Sequence, residues 1–227
     1  MELTFSKIPK AQVLHYLGVS GEIDDGLHQR INTCIARMTA VCRPRYVWRQ
    51  FPLAGHGSAS LESPPFDFPG EDVKTLLRDC STVLLFALTM GDAVETLIRQ
   101  TAVKSQTDAL ILDACASAAC EQSCDDLQCE LENRFCKDGI YATDRFSPGY
   151  GDLPLSCQPD FLRLLNAEKM IGLTLTESRI LIPRKSVTAL FGLADRPQGK
   201  RVRGCAHCSM KENCSYRKAG NTCGSQN

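Results

Sequence analysis

Nowhere in the 227 residues does an apolar run approach the roughly 18 residues that a membrane span needs, so no membrane partner is expected. Net charge is absent as well, with 26 Lys and Arg against 26 Asp and Glu. A neutral chain lacks the basic footprint of a nucleic-acid binder. No internal repeat is present, and no G-x-G-x-x-G follows a strand, so the dinucleotide-binding fingerprint is missing. The first residues, Met1-Glu2-Leu3-Thr4-Phe5-Ser6-Lys7, carry no signal-peptide apolar region. The expected location is the cytoplasm.

What is present is ordinary globular composition, 43% hydrophobic and 23% charged, in a chain long enough for one large domain with a small appendage. The unusual component is thirteen cysteines. Outside the cell they would suggest a disulfide framework with one left over; in the cytosol they should be reduced thiols, some of them holding a metal. Four, Cys205, Cys208, Cys214 and Cys223, fall in the last part of the chain. The boundaries expected are a main domain over residues 1–197 and a cysteine-rich tail over 198–227.

Spacing predicts a short helix over residues 7–18 and a stronger one from Glu22 to Cys42, with Ile23, Leu27, Ile31, Cys34, Ile35 and Met38 on one face. Arg45 to Phe51 reads as a strand. A helix starts at Gly70, and Thr82–Thr89 is a continuous apolar run suited to a strand buried on both faces. Asp92 is placed to cap the next helix. Gln106 to Lys137 is the longest helical pattern, with a bend or break expected near Ser123-Cys124-Asp125. A helix over Phe161–Ile171 ends at Gly172. Thr174–Ile182 and Ser186–Leu193 read as two strands of a hairpin around Pro183-Arg184-Lys185. The fold class is α+β, a mixed, mainly antiparallel twisted sheet flanked by helices.

Between the long helix and the last strands lies Arg145-Phe146-Ser147-Pro148-Gly149-Tyr150. Pro148 removes a backbone donor and Gly149 invites an unusual φ, so this is a loop. Arg forks carboxylates, Tyr stacks or makes cation–π contacts, and Gly admits close backbone approach. The set suits a small ligand with a carboxylate and a cationic or aromatic part. It equally suits a tight loop with a solvated Arg and a packed Tyr.

Several spaced motifs together resemble a known family. They are Arg145-x-x-x-Gly149-Tyr150, Pro159-Asp160, the run Glu168 to Ser178, and Pro183-x-x-Ser186-Val187, with Thr89-Met90-Gly91 and Asp113-Ala114 upstream. They resemble the activation (reactivation) domain of cobalamin-dependent methionine synthase, here free-standing. The similarity is loose over residues 5–195 and tight over 145–192. It implies that the chain binds S-adenosylmethionine and acts as an activation subunit for a partner's cobalamin. Flavodoxin or ferredoxin would reduce the inactive Co(II) form, and methyl transfer would trap the transient Co(I) as methylcobalamin. By the resemblance Arg145 holds the ligand's carboxylate, the backbone over Phe146, Pro148 and Gly149 contacts the ligand, and Tyr150 lies near the sulfonium or the corrin face. No residue is expected to act as a general base. Glu177 and Ser178 would shape the sheet behind the site.

The chain departs from the family pattern in three places. Residues 151–158 lengthen the link between Gly149-Tyr150 and Pro159-Asp160. Ser117, with Glu121 a turn later, stands where the family often has an acidic ligand-binding residue after Asp113-Ala114. An early Asp of the full-length enzymes has no counterpart.

The tail spacing, C-x2-C-x5-C-x8-C, suits one tetrahedral zinc, a [4Fe–4S] cluster or a reduced tail, with His207 as a substitute ligand. Lys200, Arg201, Arg203, Lys211, Arg217 and Lys218 would offset thiolate charge. Cys115, Cys120, Cys124, Cys129 and Cys136 fall on the long helix and read as apolar filler; Cys157 lies beside the loop. Two other functions remain open. One is reductive activation of another corrinoid methyltransferase. The other is a non-catalytic S-adenosylmethionine-binding module whose zinc tail docks a partner.

Overall fold

The computed structural model describes Leu3, residues 7–19, residues 21–199, and Glu212, Asn213 and Lys218. The chain begins with α1 (Lys10–Tyr16), α2 (Asp25–Val41) and β1 (Arg45–Pro52). A small hairpin follows, β2 (Ser60–Leu61) and β3 (Phe66–Asp67). Then come α3 (Glu71–Leu77), β4 (Thr82–Thr89), α4 (Asp92–Ala102) and α5 (Gln106–Cys136). Strand β5 (Tyr141–Ala142) leads through a loop and a 3-10 turn, Leu155–Cys157, to α6 (Gln158–Leu165). The last elements are α7 (Ala167–Ile171), β6 (Thr174–Leu175), β7 (Leu181–Ile182) and β8 (Ser186–Ala194).

The main sheet has four strands in the order β1-β4-β8-β5, with helices flanking it. Its strands are antiparallel. Leu53, after β1, donates to Ser81 O, before β4; Ser81 N reaches Leu193 O near the end of β8, while Met90 N reaches Lys185 O before its start. β5 pairs with β8 in the register Tyr141↔Ala194 and Ala142↔Leu193. β4 and β8 are the central strands, and seven residues of each are buried in an unbroken run. That is why they read as continuous apolar segments without alternation.

Contacts group the chain into two compact units. The first holds residues up to Val47, Ala87–Leu131 and Asn166–Val187. Its interior is built from Ile31, Cys34 and Met38 of α2, Val94 of α4, and Ile111, Leu112, Cys115 and Ala118 of α5. The second holds Trp48–Phe86, Glu132–Leu165 and residues from Thr188 on. Its interior is aromatic: Phe68 meets Phe66 edge-on at 4.9 Å and Phe161 at 6.0 Å, and Phe86 lies 6.4 Å from Phe191. Here α3 lies so close to β8 that a Cβ on Gly192 would come within 2.8 Å of Leu77 Cδ2 and would collide with Cys80 Sγ.

Four expectations are corrected. Thr174–Ile182 is not one strand and does not pair with β8. It folds back on itself, with Thr174↔Ile182 and Leu175↔Leu181, in a separate two-stranded sheet. Thr176 Oγ1 accepts from Ile180 N (3.0 Å) and bonds Ser178 Oγ (2.9 Å), and Arg179 takes a left-handed φ of 64°. These local side-chain bonds win over extension. Asp92 does not cap α4: it is the first helical residue, and Gly91 is the N-cap at φ 83°. α5 does not break near Ser123, since residues 106–136 contain neither Gly nor Pro to break it. The helix expected over Phe161–Ile171 starts earlier, at Gln158, and is split by left-handed Asn166 (φ 53°).

Burial also sorts the helical thiols. Cys115, Cys120 and Cys124 are buried filler as expected, whereas Cys129 and Cys136 are exposed. Burial pushes the Cys42 and Cys115 thiols up to about 12 from the ordinary 9.0. The folded chain keeps these protons where the unfolded chain loses them. Their contribution to stability is therefore complete below about pH 9 and is lost as pH rises toward about 12. The urea midpoint should fall across that window, and less so in a Cys42→Ala, Cys115→Ala double variant. Identical pH profiles for the two proteins would contradict the assignment.

Candidate functional site

The loop after β5 belongs to the second unit and is held along β8. Thr143 continues the strand register: its N–H donates to Gly192 O (3.0 Å), and its Oγ1 accepts from Gly192 N (2.9 Å). Phe146 then exchanges two bonds with Leu190, at 2.9 and 2.8 Å. From Thr143 to Phe146 is three steps, whereas from Gly192 to Leu190 is two. The extra residue makes a bulge in which Asp144 and Arg145 together oppose Phe191. Bulges re-aim side chains at strand ends, and this one sets the half-buried Arg145. Composition gave no sign of it.

Beyond the bulge, Tyr150 N donates to Ser147 O (3.1 Å) around Pro148 and Gly149, whose φ is 94°. Pro at the second position and a positive-φ Gly at the third form a type II turn. Phe146 and Pro148 are buried and anchor the segment. Gly149 is exposed, and Tyr150 is 66% exposed. The five expected ligand residues thus form one continuous surface feature with a buried root, a half-buried cation and an outward aromatic ring.

The residues after Tyr150 have a structural role. Gly149 N donates to Leu153 O (2.8 Å) and Leu153 N to Tyr150 O (3.1 Å), closing a second turn around Gly151 at φ 52°. The turn brings Asp152 to the start of α3. Its Oδ2 accepts from Glu71 N (2.6 Å) and its Oδ1 from Asp72 N (3.2 Å). The helix has no cap of its own, because its N-cap is Gly70, so this distant carboxylate satisfies its free donors and its positive dipole end. A Cβ on Gly70 would strike the Asp152 carboxylate, and one on Gly151 would strike Asp72. Asp152→Ala should cost about 1 kcal/mol of stability, as cap losses do. It should also speed amide exchange at Glu71 and Asp72; unchanged exchange there would contradict the capping role.

Next along the chain, Cys157 is buried, and its thiol is pushed up by that burial and then by Asp160. It is packing. Gln158, also buried, accepts from Thr188 Oγ1 at 2.9 Å.

In the first unit Thr89, Asp113 and Ser117 meet residues 183–186 at the start of β8. Ser186 Oγ bonds Thr89 Oγ1 (2.8 Å) and donates to Pro183 O (2.6 Å), while Arg184 N donates to Glu95. Lys185 Nζ reaches Asp113 Oδ1 and Ser117 Oγ, both at 2.9 Å. A cation thus meets Ser117. Glu177 and Ser178 belong to the exposed turn between β6 and β7, not to the main sheet. The four tail cysteines, Cys205, Cys208, Cys214 and Cys223, and His207 lie outside the described residues. Among the described residues no cluster of His, Cys, Asp or Glu is arranged to hold a metal, and no helix is long and apolar enough to cross a membrane.

No protein-family model matches the chain, and no curated protein matches it. A crystal structure of the MetH reactivation domain bound to AdoHcy does match. It covers 97% of this chain and 85% of that one, with a TM-score of 0.65 at 16% identity. The chain has the MetH reactivation-domain fold. That fold accounts for the antiparallel sheet flanked by helices. The match spans nearly the whole of this chain, so the bulged Arg145 segment and the turn before β8 both belong to stretches of a MetH reactivation-type fold, not to an unrelated appendage.

Proposed function

We propose that the chain binds S-adenosylmethionine at the Arg145–Tyr150 segment and supports reductive methylation of a corrinoid on a partner protein, a cobalamin-dependent methionine synthase. The observation that carries the reading is the bulged strand and type II turn that hold a half-buried Arg beside an exposed Tyr, in a fold shared with a domain crystallised with AdoHcy. AdoHcy is what S-adenosylmethionine becomes when its methyl leaves.

The electrons balance simply. One electron, from flavodoxin or ferredoxin, converts Co(II) to Co(I). The Co(I) pair forms the carbon–cobalt bond as the sulfonium–methyl bond breaks, and the sulfur keeps that bonding pair. No proton moves, so the chain's contribution is positioning and exclusion of water. Arg145 forks the ligand carboxylate, the backbone at Phe146, Pro148 and Gly149 lines its path, and Tyr150 offers a ring to the sulfonium or to the corrin.

Activation of a different corrinoid methyltransferase is favoured by one observation. Ser117 takes the Lys185 ammonium where the resembled family often carries an acid. The tail cysteines, Cys205, Cys208, Cys214 and Cys223, would close around zinc or a [4Fe–4S] cluster.

One experiment tests these readings. Anaerobically purified chain is titrated with S-adenosylmethionine, assayed for metal, and mixed with Co(II) cobalamin on a methionine synthase and with a reductant. Binding followed by the methylcobalamin spectrum supports the proposal. Binding without methylcobalamin on any corrinoid partner reduces the chain to a binding module, and absence of binding removes the site. Iron with a brown absorbance that bleaches on reduction marks an electron relay, and zinc marks a structural tail.

A further inference from the structure

Against the Arg145–Tyr150 segment, in the second unit, lies a buried polar pair to which nothing above gives a function. Gln158, the first residue of α6, is 5% exposed, and Thr188 of β8 is 2% exposed. The Thr188 hydroxyl donates to Gln158 Oε1 at 2.9 Å. An apolar pair of the same shape would fill this space without the cost of desolvating two polar groups.

Two observations place the pair against the segment. Phe146 pairs with Leu190, so in the same antiparallel register Thr188 stands at the level of Pro148. Gln158 N donates to Leu155 O, and Leu155 Cδ1 lies 3.4 Å from where a Cβ on Gly149 would sit. Gln158 is therefore bracketed by β8 on one side and by the returning loop on the other.

The carboxamide is only half used. Thr188 occupies Oε1, whereas Nε2 has no hydrogen-bond partner among the described residues. Nε2 also keeps some accessible surface, unlike the enclosed and unpaired Ser123 Oγ. A side chain that is otherwise buried thus turns two N–H donors toward an opening, and the Thr188 bond fixes which way they point. Donors held in so dry a place are costly unless an acceptor completes them. Arg145 opposes Phe191, three residues along β8 from Thr188, which is about 10 Å of strand. A ligand whose carboxylate sits in the Arg145 fork therefore brings its other end, the nucleoside, toward Gln158.

We propose that Gln158 is a further recognition residue of this site, its Nε2 donating to a ring nitrogen or a hydroxyl of the ligand's nucleoside. The assignment rests on the reading of the Arg145–Tyr150 segment as the ligand site.

The test uses the full ¹⁵N-labelled chain, titrated with AdoHcy. The Gln158 side-chain amide signals, assigned by their loss in Gln158→Met, should shift saturably and with the same midpoint as the backbone amides of residues 145–150. In calorimetry, Gln158→Met should weaken AdoHcy binding about five- to tenfold, as loss of one hydrogen bond does. Gln158→Glu keeps the acceptor for Thr188 and removes the donors, so it should weaken binding at least as much, and it replaces the methionine variant should that one fail to fold. Analogues with one ring nitrogen replaced by carbon, or with one ribose hydroxyl removed, name the acceptor: wild type and Gln158→Met should bind alike only the analogue that lacks it. Absence of binding to the wild type overturns the assignment together with the reading of the segment. Binding that Arg145→Ala weakens but both Gln158 variants leave unchanged overturns the Gln158 assignment alone. So do side-chain signals that stay still at saturation, or a deficit that persists against every analogue.

Discussion

Arg145→Ala should lower affinity for S-adenosylmethionine about 10- to 100-fold without unfolding the chain. A hydrogen bond to a charged group is worth roughly 1.5–3 kcal/mol, and a factor of ten in affinity takes about 1.4 kcal/mol. The side chain leaves the sheet at a bulge whose flanking bonds, Thr143 with Gly192 and Phe146 with Leu190, are made by the backbone and by Thr143. Truncating Arg145 therefore removes the fork and leaves its support. Arg145→Lys should recover the charge but only part of the affinity, because an ammonium cannot make the paired, planar contact. Calorimetric titration gives the affinity, and near-ultraviolet circular dichroism checks the fold. Equal affinity of the wild type and the alanine variant would end the reading of this segment as a ligand site.

Phe191→Ala should cost about 3–5 kcal/mol, the usual range for removing a buried aromatic ring. Phe191 is fully buried in β8, lies 6.4 Å from Phe86, and stands opposite the bulge at Asp144 and Arg145. At roughly 2–4 °C per kcal/mol for a chain of this size, the melting temperature should drop by about 6–20 °C. A conservative Phe191→Leu should recover much of that. A loss below about 1 kcal/mol for the alanine variant would mean that the centre of the second unit has been misdescribed.

The sequence made some of this legible for identifiable reasons. The strand at Thr82–Thr89 announced itself as an unbroken apolar run, which only an element buried on both faces can afford. α2 and α5 showed helical spacing over many turns. Pro148 and Gly149 had to form a turn, and they do. What stayed hidden depends on partners far away in the chain. Nothing in the sequence singled out Asp152, because the amide it caps, Glu71 N, is 81 residues away. β8 was matched with its nearest neighbour, Thr174–Ile182, because local hairpins are the commonest pairing. It lies instead between β4 and β5, and the nearer segment closes on itself through Thr176 and Ser178. The bulge was illegible because so short a stretch carries no measurable alternation.

That bulge makes chain length matter differently on its two sides. Pairing with β8 is even up to Thr143 and resumes one residue out of step at Phe146. Deleting one residue between them would restore even pairing, leave a single residue opposite Phe191 and abolish the bulge that re-aims Arg145. Past Tyr150 the constraint is that a carboxylate reach the start of α3, as Asp152 does. Across evolutionary relatives, insertions and deletions should therefore gather after Tyr150 and be missing between Thr143 and Phe146.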